Sequence, residues 1–300
     1  MLACVLTAIA LTVSCGSKPV DPRSVIPGDA LVYLESRDLA RTLRAITDNP
    51  KFEAAAKFKP NLGVLDGVRI SIAVTGFETS EQEVTEENAV LKFQPRFVAV
   101  VETNAWGWQT TSFIENQLGE FVNDVYDGEV QLEKSRRNDG EYYAWTAQDG
   151  RKAFALQQGS LVFFGNDETA IDRCQAVKRG EAESISKNSK IADGDRIAFG
   201  YISPQGVGQI ANIAGVSLAM GASEEAEVKS FVAGVLPQIL RNSVKDITWS
   251  ASPTDKGIED KIVVALDDES ARVFDETLAP AQAGDSQLAD LIPASMASST

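Results

Sequence analysis

"GDALVYLESRDLARTLRAI", residues 28–46, places a short apolar run directly before a segment in which Leu39, Leu43 and Ile46 recur at helical spacing. The first half predicts a strand over 30–35 and the second a helix over 37–47. The plan returns in "GDRIAFGYISPQGVGQIANI", residues 194–213: Gly-Asp, a strand carrying an aromatic, then a helix. Each copy is followed by more helix, two strands and another helix. One order of elements, repeated at similar spacing, points to an internal duplication. The fold class read from it is α+β: duplicated β-α-β-β-α units with largely antiparallel sheets and an inserted set of β-hairpins.

Outward from the first copy come a short helical piece at 51–58 and strands at 67–77 and 90–102, with the acidic stretch "ETSEQEVTEENA" read as a loop between them. A helix over 106–125 aligns Ile114, Leu118, Phe121, Val122 and Val125. Residues 128–165 read as four short strands, because "RRNDG" at 136–140 and "QQG" at 157–159 are turn signals. Asn166 or Asp167 caps a helix at 168–178. After the second copy, Ser223 caps a helix running to about 241, with Val228, Phe231, Val232, Val235 and Ile239 aligned and Pro237 bending its end. "VKDITWSASP" and "GIEDKIVVAL" are strands, and a helix over 268–279 precedes a small, polar tail.

Residues 1–14, "MLACVLTAIALTVS", carry no charge and read as the apolar core of a secretory signal. The run is shorter than the roughly twenty apolar residues a membrane-spanning helix needs. Ser14, Cys15, Gly16 and Ser17 follow it and resemble a bacterial lipobox, in which the cysteine thiol receives a diacylglycerol and the chain is cut before it. The favoured leucine three places before the cysteine is Thr12, with Leu11 one place further out. The expected organisation is a signal peptide at 1–14, a lipidated tether at 15–25, a first α+β repeat with inserted hairpins at 26–192, a second repeat at 193–280 and a flexible tail at 281–300. Cys15 is the expected lipidation site, and the expected address is extracytoplasmic, in the cell envelope.

Composition bounds the chemistry. The formal net charge is −15 and there is no histidine. An acidic surface repels nucleic-acid phosphates, so nucleic acid is not an expected partner. Without imidazole, Ser-His-Asp and Cys-His catalysis and histidine-bearing zinc sites are excluded. Cys4 and Cys15 fall in the N-terminal segment, leaving Cys174, which shares a helical face with Ile171 and Val177 and reads as a buried thiol.

Three stretches, "VIPGDALVYLESRDLARTL", "GSLVFFGNDETAIDRC" and "ITWSASPTDKGIEDKIVVAL", together resemble the bacterial DUF3352 family of secreted or lipid-anchored proteins. The similarity runs over about residues 26–280, on Pro27, Asp29 and Tyr33 at the first strand and Gly159 to Asp167 before a helix. It implies an envelope location and a compact α+β domain, and brings no catalytic residues with it. The helix at 205–221, rich in Gly and Ala, departs from the family.

Few residues carry candidate chemistry. "GVGQIA" has the spacing of a dinucleotide fingerprint, but a helix occupies the place of the required second strand, and close packing explains Gly206 and Gly208 without a cofactor. Ala211, Gly215 and Ala219 form a small-residue stripe best accounted for by burial against the sheet. The acidic stretch with Glu78, Glu81, Glu83, Glu86 and Glu87 lacks calcium-loop spacing, and no metal is expected. Asp267-Asp268 reads as a helix start. Trp106 and Trp108, around Gly107, are core residues, a staple at a helix start or a binding surface, since paired indoles stack on sugar rings or anchor protein partners. The leading expectation is a non-catalytic binding or scaffolding domain held at a membrane through Cys15, with a protein partner in the envelope. The alternatives are an extracytoplasmic small-molecule-binding protein, with Trp249 joining Trp106 and Trp108 in a cleft, and a carboxylate-dependent hydrolase.

Overall fold

In the computed structural model, the structure describes residues 19–47, 62–85, 88–191, 194, 196–221, 231–254 and 257–278. The signal, Cys15, the helical piece at 51–58, Ser223 and the tail lie outside these residues. The chain divides into two compact units, one of Met1–Tyr201 with Thr248–Lys261 and one of Ile202–Ile247 with Ile262–Thr300.

A single sheet carries all the strands described: β1 (Val32–Ser36), β2 (Arg69–Thr85), β3 (Asn88–Glu102), β4 (Gln131–Arg137), β5 (Gly140–Thr146), β6 (Lys152–Gln158), β7 (Leu161–Gly165), β8 (Ala198–Ile202), β9 (Val244–Thr254) and β10 (Gly257–Leu266). Their order is β10-β9-β8-β1-β2-β3-β7-β6-β5-β4. The β1–β2, β2–β3 and β3–β7 pairs are antiparallel, as are the three pairs within β4–β7. The molecule is therefore α+β. The hairpins expected as inserted material do not form a separate layer; they extend the sheet beyond β3.

Both faces of this sheet are covered in the first unit, which explains continuous apolar runs such as "LVFFG" in β7. On one face Phe163, Leu161, Val98, Val100 and Tyr33 pack with Ile171 and Cys174 of the helix Glu168–Lys178 and with Val25 and Ile26. On the other, Val162, Tyr143, Trp145 and Ala155 pack with Ile114 and Val122. Alternate residues of one strand thus enter opposite cores, as the pleat requires. At the end of β7 the backbones close up. A Cβ on Gly165 would lie 2.2 Å from the Phe97 carbonyl oxygen, so no larger residue fits there.

The helices are α1 (Leu39–Thr47), α2 (Gly107–Phe113), α3 (Gly119–Val125), α4 (Glu168–Lys178), α5 (Pro204–Gly221), α6 (Leu236–Ser243) and α7 (Asp268–Leu278). A π-helical turn, Ile114–Leu118, joins α2 to α3 where one regular helix was expected. In an α-helix a four-residue spacing drifts about 40° per step. A wider turn removes much of that drift, keeping Ile114, Leu118 and Val122 over the sheet. Asp167, rather than Asn166, caps α4, accepting from the Thr169 N–H at 3.0 Å. Asp267 likewise accepts from the Glu269 and Ser270 amides, at 3.0 and 3.1 Å, and starts α7.

Two expectations are corrected. The acidic stretch is not a loop: β2 runs to Thr85 and β3 starts at Asn88, with Thr79 opposite Phe93 and Glu81 opposite Leu91. β-branched and aromatic residues such as Thr79 and Phe93 favour a ladder there. Residues 76–85 and 88–96 pair with each other beyond the ends of β1 and β7. The tether at 15–25 also yields to the fold from Val20 onward. The Val20 N–H donates to Glu102, and Asp21 caps a 3-10 turn, Pro22–Val25, in which Pro22 and Val25 are buried. Asp-Pro is a helix-start signal, and the flanking valines have apolar surface to bury. The small-residue helix α5 packs against α6 and the π-turn Phe231–Val235. Gly208 admits the stem of Arg241, whose Cδ would lie 3.1 Å from an added Cβ.

Candidate functional site

The Trp106-Gly107-Trp108 segment lies where the chain leaves β3 and enters α2. Thr103 turns the chain, its backbone N–H and its hydroxyl donating to the Ser160 carbonyl at 3.0 and 2.9 Å. Trp106 then takes the cap position, its N–H donating to the Gln109 side chain at 3.0 Å. The backbone after it is clamped from below by Gln157 of β6, which is only 6% exposed. The Gln157 amide nitrogen donates to the Gly107 carbonyl at 2.8 Å. Its amide oxygen accepts from the Thr111 hydroxyl at 3.0 Å and the Tyr143 hydroxyl at 3.4 Å.

Against this fixed backbone both indoles face water: Trp106 is 68% exposed and Trp108 72%. The staple reading is thus set aside by the structure. An indole so exposed stabilises no core, while the backbone that carries it is held rigidly.

Beside Gly107 an open cleft of about 610 Å³ is lined by Arg136, Arg137, Asp139 and Glu141 of the β4–β5 turn and by Gln157. Asn138 and Asp139 adopt φ of 50° and 59°, the left-handed pair that a two-residue hairpin turn needs. Arg137 pairs with Glu168 and, at 2.9 Å, with Asp172, and its guanidinium sits 5.4 Å over the Tyr142 ring. Burial, and then the hydrogen bond to Glu168 and its charge, push the Tyr142 phenol up; the hydroxyl donates to Glu168 at 2.8 Å. Arg136 pairs with Glu141 at 3.0 Å. Sequence reasoning found the tryptophans and the turn but not Gln157, read only as part of a hairpin. Its signal was a polar side chain at the end of the apolar run "KAFALQ".

The other candidates do not join this cleft. Trp249 donates its indole N–H to Asp260 at 3.0 Å and packs against Gly200. Cys174 lies on the buried face of α4, where burial pushes its thiol up to about 12. Ser203 caps α5 by accepting from the Gly206 N–H at 3.2 Å, so "GVGQIA" starts a helix packed on α6. Among the described residues no group of three or more acidic or cysteine side chains is placed to hold a metal ion, and no helix is long and apolar enough to cross a membrane.

No protein-family model matches the chain, and no curated protein matches it. Among solved structures, crystal form I of TP0453 aligns with a TM-score of 0.39 at 10% identity, over 87% of this chain and 86% of that one. Crystal form III of TP0453 aligns with a TM-score of 0.37 at 9% identity, over 86% of each chain. Likenesses of that size carry no argument about function.

Proposed function

We propose that this is a lipid-anchored envelope protein whose domain works by binding, without chemistry of its own, through the face around Trp106 and Trp108. The observation that carries the reading is the pairing of two water-exposed indoles with a backbone clamped by buried Gln157. Binding surfaces favour such rigid aromatic anchors, because little freedom is left to lose on contact.

The anchor in this proposal is the Cys15 thiol. Acyl chains contribute about 0.8 kcal/mol per buried methylene. Val20 is already hydrogen-bonded to Glu102. Five residues of chain reach at most about 18 Å, so the domain would stand close to the bilayer. The kinship with DUF3352 belongs to the same proposal, as does the duplication. Support for the latter is the sheet order, with β1 and β8 side by side, β2–β3 on one flank and β9–β10 on the other.

Oxidative footprinting of Trp106 and Trp108 tests the reading, comparing intact cells with purified protein. Protection of both indoles in cells, lost in Cys15→Ser together with recovery in the membrane fraction, is the expected result. Equal labelling in cells and in solution would overturn the binding face. Undiminished membrane recovery of Cys15→Ser would overturn the anchor.

A further inference from the structure

We infer that Trp106 and Trp108 sit in the headgroup layer of the bilayer that holds Cys15, so that the start of α2 is the membrane-facing side of the first unit. The inference deepens the binding reading above by naming what covers the indoles, and it rests on the proposed anchor.

Glu102, at the end of β3, sets the placement. Its carboxylate is fully buried and accepts from two backbone amides, Val20 at 3.1 Å and Asn104 at 3.0 Å. A buried acid without such donors would be costly, so this bridge holds Val20 beside the exit of β3. From the bridge the chain leads two ways. Trp106 and Trp108 follow Asn104 by two and four residues, at most about 14 Å of chain. Cys15 precedes Val20 by five residues, at most about 18 Å, and Pro19 on that path is exposed. The path to the lipid and the path to the two indoles thus start from one place.

That short reach selects the occupant. A folded partner of about 100 residues is roughly 30 Å across, more than the tether leaves between Val20 and the bilayer. Lipid headgroups need no such room. The segment also suits them. Residues 103–114 carry no charged side chain, although charged residues make up 24% of the whole chain. Burying the segment in a headgroup layer therefore desolvates no ion of its own. The charged residues lining the cleft beside Gly107 are Arg136, Arg137, Asp139 and Glu141, two of each sign. The chain's net charge of −15 is thus not gathered beside the indoles.

Indoles are well matched to this layer. The ring body is apolar and the N–H donates, so tryptophan settles between acyl chains and headgroups. The other two tryptophans are spoken for: Trp145 is buried, and Trp249 donates to Asp260. Approach to the segment is open, since an added Cβ on Gly107 would meet no atom within 4 Å. Acyl chains keep the domain at the bilayer but leave it free to turn about a flexible tether. Two indoles in the interface, on backbone clamped by Gln157, remove that freedom and fix the side the domain presents outward.

The test takes the full chain, purified from membranes, into phosphatidylcholine vesicles brominated either near the headgroup or near the end of the acyl chains. Mass spectrometry first establishes the diacylglycerol on Cys15. Shallow bromine is expected to quench tryptophan emission and deep bromine to quench it less. Both effects should be lost in the Trp106→Ala/Trp108→Ala double variant. Because both indoles are exposed, that variant should keep the parent's melting temperature. Emission that shallow bromine leaves unchanged, from a vesicle-bound chain bearing the lipid, would overturn the inference and leave the anchor standing. Equal quenching in the double variant would do the same. Protection of the indoles in cells alongside unquenched emission in vesicles would give the face to a protein partner instead. Membrane-derived protein with no lipid on Cys15 would remove the anchor, and the inference with it.

Discussion

At the scale of single residues, the buried hydroxyls and the thiol set a limit on alkaline stability. Cys174 is pushed up to about 12 by burial. The Tyr33 phenol is also raised, by burial and then by the charge of Glu35, to which its hydroxyl donates at 2.8 Å. Both groups are neutral in the fold and ionise at lower pH once the chain unfolds. A folded pKa above the unfolded one stabilises fully below the unfolded value and loses that contribution as pH rises towards the folded value. The window opens near pH 9 for Cys174, where an unfolded thiol titrates, and near pH 10 for Tyr33, and each group removes about 1.4 kcal/mol per pH unit inside its own window. Melting temperature should hold level to about pH 8.5 and fall beyond it, with a shallower fall in Cys174→Ala. The thiol itself should resist Ellman's reagent until the chain is denatured.

At the scale of elements, the start of α2 depends on a residue far away in the chain. Gln157 bonds the Gly107 carbonyl, the Thr111 hydroxyl and the Tyr143 hydroxyl. Gln157→Leu keeps the volume but leaves those groups without their partner, at a cost of about 1–3 kcal/mol. The expected outcome is a lower melting temperature, with faster hydrogen exchange at the amides of 106–111 than in the rest of the helix. Elsewhere the elements follow local chemistry closely. Asn138-Asp139 makes the β4–β5 turn, Gly159 at φ 68° the β6–β7 turn, and Asp167 starts α4. These were legible because a turn or a cap is decided by a few neighbouring residues. The carboxylates of the β2–β3 hairpin resemble a loop signal, whereas the pairing of Thr79 with Phe93 and of Ala73 with Val98 belongs to one long ladder.

At the scale of the whole molecule, one buried carboxylate ties remote segments to the sheet. Glu35 on β1, its side chain 4% exposed, lies 3.7 Å from Arg23, 3.3 Å from Arg196 and 3.9 Å from Arg37. Its partners come from the N-terminal 3-10 turn, from the approach to β8 and from the exit of β1. Glu35→Gln would leave guanidinium groups gathered around a neutral amide, and removing one partner of a buried pair costs about 3–5 kcal/mol. Urea unfolding should show that loss in the midpoint without a large change in slope, since the surface exposed on unfolding is the same. A midpoint within experimental error of the parent's would mean that the cluster only decorates the fold.

The amino-acid sequence by itself determined the alternation of strands and helices, the turn and cap residues, the burial of Cys174 and the absence of imidazole chemistry. Each is written in local spacing or in composition. The tertiary structure alone decided that the hairpins of 131–165 continue the sheet past β3, that α5 packs on α6, and that Gln157 bonds the Gly107 carbonyl between the exposed Trp106 and Trp108. Those facts depend on which distant segments meet. Side-chain pairs such as Gln157 and Gly107 become neighbours only when the sheet brings them together, and no local pattern marks them in advance.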